Sequence, residues 1–420
     1  MRESPYPLEQ LLGMRFYRSD TPGTGGRLRT SAEDFIVEEI PSGIGTEGPF
    51  LICRLTKKDW DQQRALKEVA KRLGISYKRI GFTGTKDKHA ITSQLISIQG
   101  ITPEEIGRVQ IRDITLEPVG RSPSPLSLGS HAANRFTITV RESRAAPEGI
   151  SAVTEACRTG IPNYYGIQRF GAIRPISHTT GAFILKGDYE GAVCHYIGAA
   201  FPGESETARE ARTSFLEHRD PIRSIRELPL SLNYERSMLH HIAIHPGDYG
   251  GALRILPPKL LSMLVSAYQS LLFNRALSLR MAQGSDLSEP IPGDRLLFDN
   301  GKEDRVAENT TGNARTQIMR GRCRIAIRVP GCRDQALHCE DNRTMELLLS
   351  EDGIKREDFC AASDFVHARF DGASRPIALA TDVTASTCDE GITLAFSLQP
   401  GQYATTVCRE YMKADPLMMV

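Results

Sequence analysis

The chain has 420 residues, enough for two or three domains at roughly 100–200 residues each, with 40% hydrophobic and 25% charged residues. It holds no run of about 18 apolar residues, and its start, Met1-Arg-Glu-Ser-Pro5, lacks the apolar stretch of an export signal, so a membrane span and secretion are disfavoured and a cytoplasmic protein is expected. The net charge of +1 withholds the strongly basic balance common in nucleic-acid binders, and nine cysteines without a Cys-x-x-Cys pair predict reduced, mostly buried thiols.

In chain order, residues 34–40 and 49–55 are rich in β-branched and aromatic side chains and predict two strands. Asp59 then reads as the N-cap of a helix on which Trp60, Ala65, Leu66, Val69, Ala70 and Leu73 recur at helical spacing, with Gly74 placed to end it. A turn containing Gly81 and Gly84 leads to a strand over residues 90–98. Residues 134–142 alternate: Phe136, Ile138 and Val140 share one face, Arg135, Thr137, Thr139 and Arg141 the other. Residues 392–398 do the same with Ile392, Leu394, Phe396 and Leu398. Alternation with period two means one packed face and one wetted face, as in antiparallel sheets. The middle is helical over 181–200, 204–216, 257–281, 310–319 and 341–351. A strand-rich start, a helix-rich middle and a strand-rich end predict one α+β domain interrupted by another, so that both chain ends share a sheet.

Charge is locally concentrated. Between Arg54 and Lys88, eleven Lys or Arg meet only Asp59, Asp61, Glu68 and Asp87, a balance of +7. Such a stretch can hold phosphates through counterion release, or can be a solvated helix face. Within it, Gly81-Phe-Thr-Gly-Thr-Lys86-Asp87-Lys88 sets a carboxylate in a Gly-containing turn between two lysines. Asp87 can act there as nucleophile or base on a bound nucleic acid, or simply cap the turn. Phe35, Phe136, Tyr164, Tyr165 and Tyr403 stand beside polar residues, as stacking platforms for an extruded base would, although each also fits a core role. Phe136, on the apolar face of its strand, has the strongest claim to the core. No P-loop, dinucleotide fingerprint or zinc-deaminase pattern occurs, which disfavours an unrelated nucleotide-binding enzyme. His240, His241 and His245 cluster before Pro246 without the Cys or carboxylate partners of a tetrahedral metal set, so a His-containing turn is expected.

Five blocks together resemble the TruD family of tRNA pseudouridine synthases. They are Ser31-Ala-Glu-Asp-Phe35-Ile-Val-Glu-Glu39, Gly84-Thr-Lys-Asp87-Lys-His-Ala-Ile-Thr-Ser-Gln94, Asn134-Arg-Phe136-Thr-Ile138, Pro162-Asn-Tyr-Tyr-Gly-Ile-Gln-Arg-Phe-Gly171 and Gln399-Pro-Gly-Gln-Tyr403-Ala-Thr-Thr-Val-Cys-Arg-Glu410. A sixth, Ser266-Ala-Tyr-Gln-Ser-Leu-Leu-Phe-Asn274, is similar to a helix of that family's inserted domain. The resemblance implies a pseudouridine synthase fold, with a mixed, mostly antiparallel sheet flanked by helices, in residues 1–161 and 373–420. A helix-rich inserted (TRUD) domain would span 162–372. It implies Asp87 as the catalytic aspartate and Phe35, Asn134 and Tyr403 as contacts to the target nucleotide. Tyr403 stands where a bacterial relative has Phe, and Arg29 where a relative has Lys. Phe136 is expected to pack under or beside the base, and Lys86 to help hold substrate next to Asp87. Lys57, Lys58, Lys71, Arg72, Lys78, Arg79 and Lys88 are expected to meet phosphates. The implied substrate is tRNA, the family's usual target being the uridine at position 13, and the isomerisation demands neither cofactor nor metal. A rival reading is a non-catalytic RNA-binding or tRNA-folding protein, which would keep the basic stretch and the aromatics without needing Asp87.

Overall fold

The computed structural model describes residues 1–144, 146–333 and 343–419. The chain divides into two units: Met1–Tyr17 with Pro162–Ala378, and Arg18–Ile161 with Leu379–Met419. The first residues of the chain thus stand with the inserted segment rather than with the sheet that follows them.

The second unit carries Asp87 and the residues expected around it, but not Tyr164 and Tyr165, which fall in the first; it is built on an eight-stranded sheet. Its strands are Phe35–Pro41 (β1), Phe50–Lys58 (β2), Ile80–Phe82 (β3), Ile91–Gln99 (β4), Ile114–Ser122 (β5), His131–Arg141 (β6), Thr384–Cys388 (β7) and Gly391–Leu398 (β8). They lie in the order β7-β8-β6-β1-β4-β2-β5, with β3 also paired to β4. The β1–β4 pair is parallel and the other pairs are antiparallel. Three helices of nine or more residues cover it: Gln62–Arg72 (α1), Pro147–Thr159 (α2) and Ala404–Met412 (α4), with Pro258–Ala282 (α3) belonging to the other unit.

The register decides what the covered face looks like. Phe35, Val37 and Glu39 of β1 share it with Ile138, Phe136 and Asn134 of β6, with Thr92 and Gln94 of β4, and with Lys57 and Leu55 of β2. One apolar cluster joins Phe35, Val37, Phe136, Leu394 and Phe396 to Val153 of α2 and Val407 and Tyr411 of α4. A separate cluster joins Cys53, Leu55, Ile96 and Ile98 to Leu66 and Val69 of α1. Between the two clusters the same face turns polar, a seam formed by Lys57, Thr92, Gln94, Glu39 and Asn134.

α1 begins two residues later than the sequence suggests. The N-cap is Asp61, whose Oδ1 accepts from Arg64 N at 3.0 Å, whereas Asp59 adopts a left-handed φ of 57° before it. The helix ends on Gly74, φ 65°, with Ile75 N donating to Ala70 O (3.0 Å) and Gly74 N to Lys71 O (3.2 Å), a Schellman closure.

The first unit packs around the long helix Pro258–Ala282 (α3). The single helix expected over 181–200 is two, Ser177–Leu185 and Tyr189–Gly198, broken at Gly187 with φ 71°. A four-stranded sheet of Arg295–Phe298, Glu303–Arg305, Cys323–Val329 and Ala373–Pro376 was not anticipated. The last predicted helix is found over Arg343–Glu351, and its first two predicted residues lie outside the described ones. Cys332 and Cys360, Cα atoms 4.8 Å apart, form a disulfide, which corrects the expectation that all thiols are reduced. Cys53, Cys157, Cys194, Cys323 and Cys408 are free and buried, Cys388 is free and exposed, and Cys339 lies outside the described residues. Among the described residues no helix is long and apolar enough to cross a membrane.

Candidate active site

Asp87 sits at the end of a short loop, residues 83–87, that crosses the polar seam between β3 and β4. Buried side chains grip this loop from beneath. Gln62, at the start of α1, donates from Nε2 to Gly84 O (2.8 Å) and accepts at Oε1 from Lys86 N (2.6 Å). Lys57 Nζ donates to the backbone carbonyl of Asp87 at 2.6 Å. The Lys86 ammonium meets Glu39 Oε2 at 2.8 Å, and Glu39 also accepts from the Thr83 hydroxyl and from Leu95 N (3.2 Å). The loop is thereby fixed at Thr83, Gly84, Lys86 and Asp87, and the Asp87 side chain is left 44% exposed.

Arg29 approaches Asp87 from the other side. Its Nη2 lies 3.4 Å from Asp87 Oδ1, its Nη1 donates to Met419 O at 3.1 Å, and its guanidinium lies over the Phe35 ring, 4.1 Å from the centroid. Phe35 in turn meets Phe136 edge to face (6.3 Å), and Phe136 stacks on Phe396 (5.5 Å). A carboxylate thus stands beside a cation and an aromatic stack, in a gap of the sheet's cover, a setting suited to a flat, uncharged ring next to a reacting carbon.

Burial shapes the charges. Lys57 is 1% exposed, and burial pushes its ammonium down to about 8 against the opposing pull of Asp87, Asp61 and Asp59. His131 is held below its ordinary value, first by burial and then by the neighbouring Lys86 charge. Its Nε2 is 3.0 Å from Asn134 Nδ2. Four buried polar atoms along this seam have no partner among the described residues: Thr92 Oγ1, both amide atoms of Gln94 and Asn134 Oδ1. Buried hydrogen-bonding groups are ordinarily satisfied, so this is capacity a bound polar ligand or water can use.

Set against expectation, the structure brings Asp87, Arg29, Phe35 and Phe136 together. Asn134 lies on the same face as Phe136 and pairs across the sheet with Glu39. Tyr403 is half-buried at the N-cap of α4, just beyond Leu398, which is itself opposite Asn134. Phe35 is 1% exposed beneath Arg29, so its face is covered rather than open. Two lysines depart from their expected contacts. Lys86 is buried in its pair with Glu39, and Lys57 is buried under Asp87, so neither presents its ammonium to a phosphate. Lys58 pairs with Glu33 and Arg72 with Glu68, while Lys71, Lys78 and Lys88 are exposed. Gln62, Glu39 and the unpaired Gln94 were not singled out from the sequence. The signal was present: Glu39 falls in step with Phe35 and Val37, and Lys57 in step with Cys53 and Leu55, on the buried faces of alternating strands. In the other unit, His241 pairs with Asp248 at 2.8 Å, and among the described residues no group of three or more His, Cys, Asp or Glu is placed to hold a metal ion.

Known proteins resemble the chain along nearly its whole length. The family model for tRNA pseudouridine synthase D (TruD) matches residues 11–411. A Methanococcoides burtonii protein named "Probable tRNA pseudouridine synthase D" is 36% identical over 433 residues, covering 98% of each chain. One of the same name from Pyrococcus furiosus is 38% identical over 410 residues, covering 94% of this chain and 98% of its own. The crystal structure of a "Putative tRNA pseudouridine synthase D (TruD)" from Methanosarcina mazei superposes with a TM-score of 0.84 at 35% identity, covering 99% of this chain and all of that one. With the fold matched from end to end and the family model spanning both units, this chain belongs to the tRNA pseudouridine synthase D (TruD) family.

Proposed function

We propose that this protein isomerises a uridine of tRNA, the one at position 13, to pseudouridine in the cytoplasm, with Asp87 as its catalytic carboxylate. The reaction breaks the N1–C1′ bond, turns the uracil and joins C5 to C1′. The C5 proton is lost and N1 gains one, so substrate and product are isomers. Asp87 serves either by attacking carbon or by removing a ribose proton. The observation that carries the reading is the clamped loop that leaves the Asp87 carboxylate facing out of the seam, with Arg29 at 3.4 Å and the Phe35–Phe136 pair alongside. Arg29 orients the carboxylate. Phe136 packs beneath the base, Asn134 offers its unpaired Oδ1 to a base edge, and Tyr403 offers a stacking face. The reaction also requires that water be kept from the detached uracil. The position of the target rests on family resemblance alone.

The test uses tRNA carrying tritium at uracil C5. The native protein should release tritium and create one carbodiimide-reactive site at position 13. Asp87→Asn should release none while binding the same tRNA with unchanged affinity. Turnover by Asp87→Asn would remove the residue from its role. A non-catalytic RNA-binding or folding protein would leave the tritium in place in both cases.

A further inference from the structure

We infer that Lys57 is a positioning residue for the reaction, its buried ammonium holding Asp87 in register from beneath the sheet face rather than contacting RNA. This rests on Asp87 being the catalytic carboxylate. Three observations carry it. Lys57 is 1% exposed, so a phosphate cannot reach it. Its Nζ is spent on the backbone carbonyl of the catalytic residue itself, at 2.6 Å. It also lies in the one stretch of its strand's buried face where a lysine replaces an apolar side chain, in step with Cys53 and Leu55. Burying a cation costs several kcal/mol, and an apolar residue of similar length would fill this space without that cost. A lysine kept here therefore answers a local need. The need is mechanical and electrostatic: the carbonyl is fixed, and a positive charge stands behind the Asp87 carboxylate while Arg29 stands beside it.

The charges around Lys57 set when that ammonium survives. Asp87, Asp59 and Asp61 favour it; Lys86 opposes it, though Glu39 offsets Lys86. Arg29 is occupied with Asp87, and His131 is held below its ordinary value and is neutral at alkaline pH. Burial leaves Lys57 titrating near 8. The single-turnover rate of the native protein should therefore fall as pH rises through about 8.

The experiment compares the native protein with Lys57→Met and Lys57→Gln, the second keeping an uncharged donor toward the carbonyl. Folding is followed by fluorescence, tRNA affinity by filter binding, and single-turnover tritium release from pH 6.5 to 9. A displaced catalytic group costs up to about 10²-fold in rate. The expected result is a rate lower by about 10–10²-fold, affinity within about two-fold, and loss of the alkaline fall in both variants. A purely structural lysine would not remove a pH limb. Weaker binding with a shallower salt slope would make Lys57 a phosphate contact and overturn the inference. A native rate and pH profile in either variant would overturn it too. Should neither variant fold, a native rate that stays level across this range does the same. Asp87→Asn separates the two layers: if it is inactive while Lys57→Gln is normal, only the positioning role fails.

Discussion

Replacing Glu39 by Gln should destabilise the sheet unit by about 3 kcal/mol. Glu39 is fully buried and Lys86 is 5% exposed, so the 2.8 Å pair is desolvated on both sides. Removing one partner of such a pair leaves an uncompensated buried charge and costs roughly 3–5 kcal/mol. The lower end applies because Gln keeps one oxygen for Leu95 N or the Thr83 hydroxyl, while its NH2 group faces the Lys86 ammonium. Trp60 is the chain's one tryptophan and lies in this unit, its indole donating to Arg112 O at 3.2 Å. Its fluorescence therefore reports this unit's unfolding rather than the other's. With a urea slope of about 2–3 kcal/mol/M, the midpoint should drop by about 1–1.5 M. The double variant Glu39→Gln/Lys86→Met leaves no charge at this pair and should recover most of the loss. A shift below about 0.3 M for Glu39→Gln, as a solvated surface pair would give, refutes the reasoning. So does a double variant no better than the single one.

Two further outcomes are expected. His178, in the other unit, is buried edge-on to Phe170, and burial followed by the neighbouring His195 brings it down to about 4. Because the unfolded chain takes up this proton near pH 6.5 and the folded one does not until about 4, the unfolded state binds more protons in between. Stability then falls as pH drops through that window, by about 3 kcal/mol at its acid end. Circular-dichroism unfolding of His178→Phe between pH 7 and 4 should show a shallower acid decline by that amount, and an identical decline refutes it. On the RNA side, the exposed Lys71 and Lys78, changed together to Gln, should lower the slope of log Kd against log salt by about one unit each without changing the saturated single-turnover rate. An unchanged slope would take both out of the interface.

Much of the architecture was legible because period-two alternation and helix punctuation are local signals. The strands around Phe136 and Phe396 appear at their predicted places, and Gly74 ends α1 as expected. The failures share one cause, which is that partners distant in sequence decide the outcome. Asp59 and Asp61 are equally good caps by composition, and only the backbone leaving β2 tells which is used. The small sheet of the inserted unit pairs Cys323–Val329 with Ala373–Pro376 across a long separation and contains strands too short to announce themselves. Lys57 reads as a phosphate-facing cation when charge is summed along the chain, because such a sum is blind to the face of the strand each residue occupies. Cys332 and Cys360 join across 28 residues, and no spacing rule selects that pair among nine cysteines.

The site's location follows from one irregularity in an otherwise antiparallel sheet. β1 and β4 run parallel, with Ile36 opposite Ile91, so the segments that enter these strands emerge side by side at the same end. One entering segment brings Arg29 and Phe35, the other Asp87. Antiparallel pairing would have sent them to opposite ends of the sheet. The same junction is where the apolar cover divides, one cluster under α2 and α4 and the other under α1. A sheet face left polar between two cores is unfavourable for stability, as the unpaired Thr92 and Gln94 atoms attest. The buried grips of Gln62, Lys57 and Glu39 offset that weakness by tying the loop across the gap, and they hold it where a parallel strand pair has delivered a carboxylate, a guanidinium and an aromatic ring. Any family member that keeps the parallel pair should therefore keep its reactive groups at this end of these two strands, however its inserted unit differs.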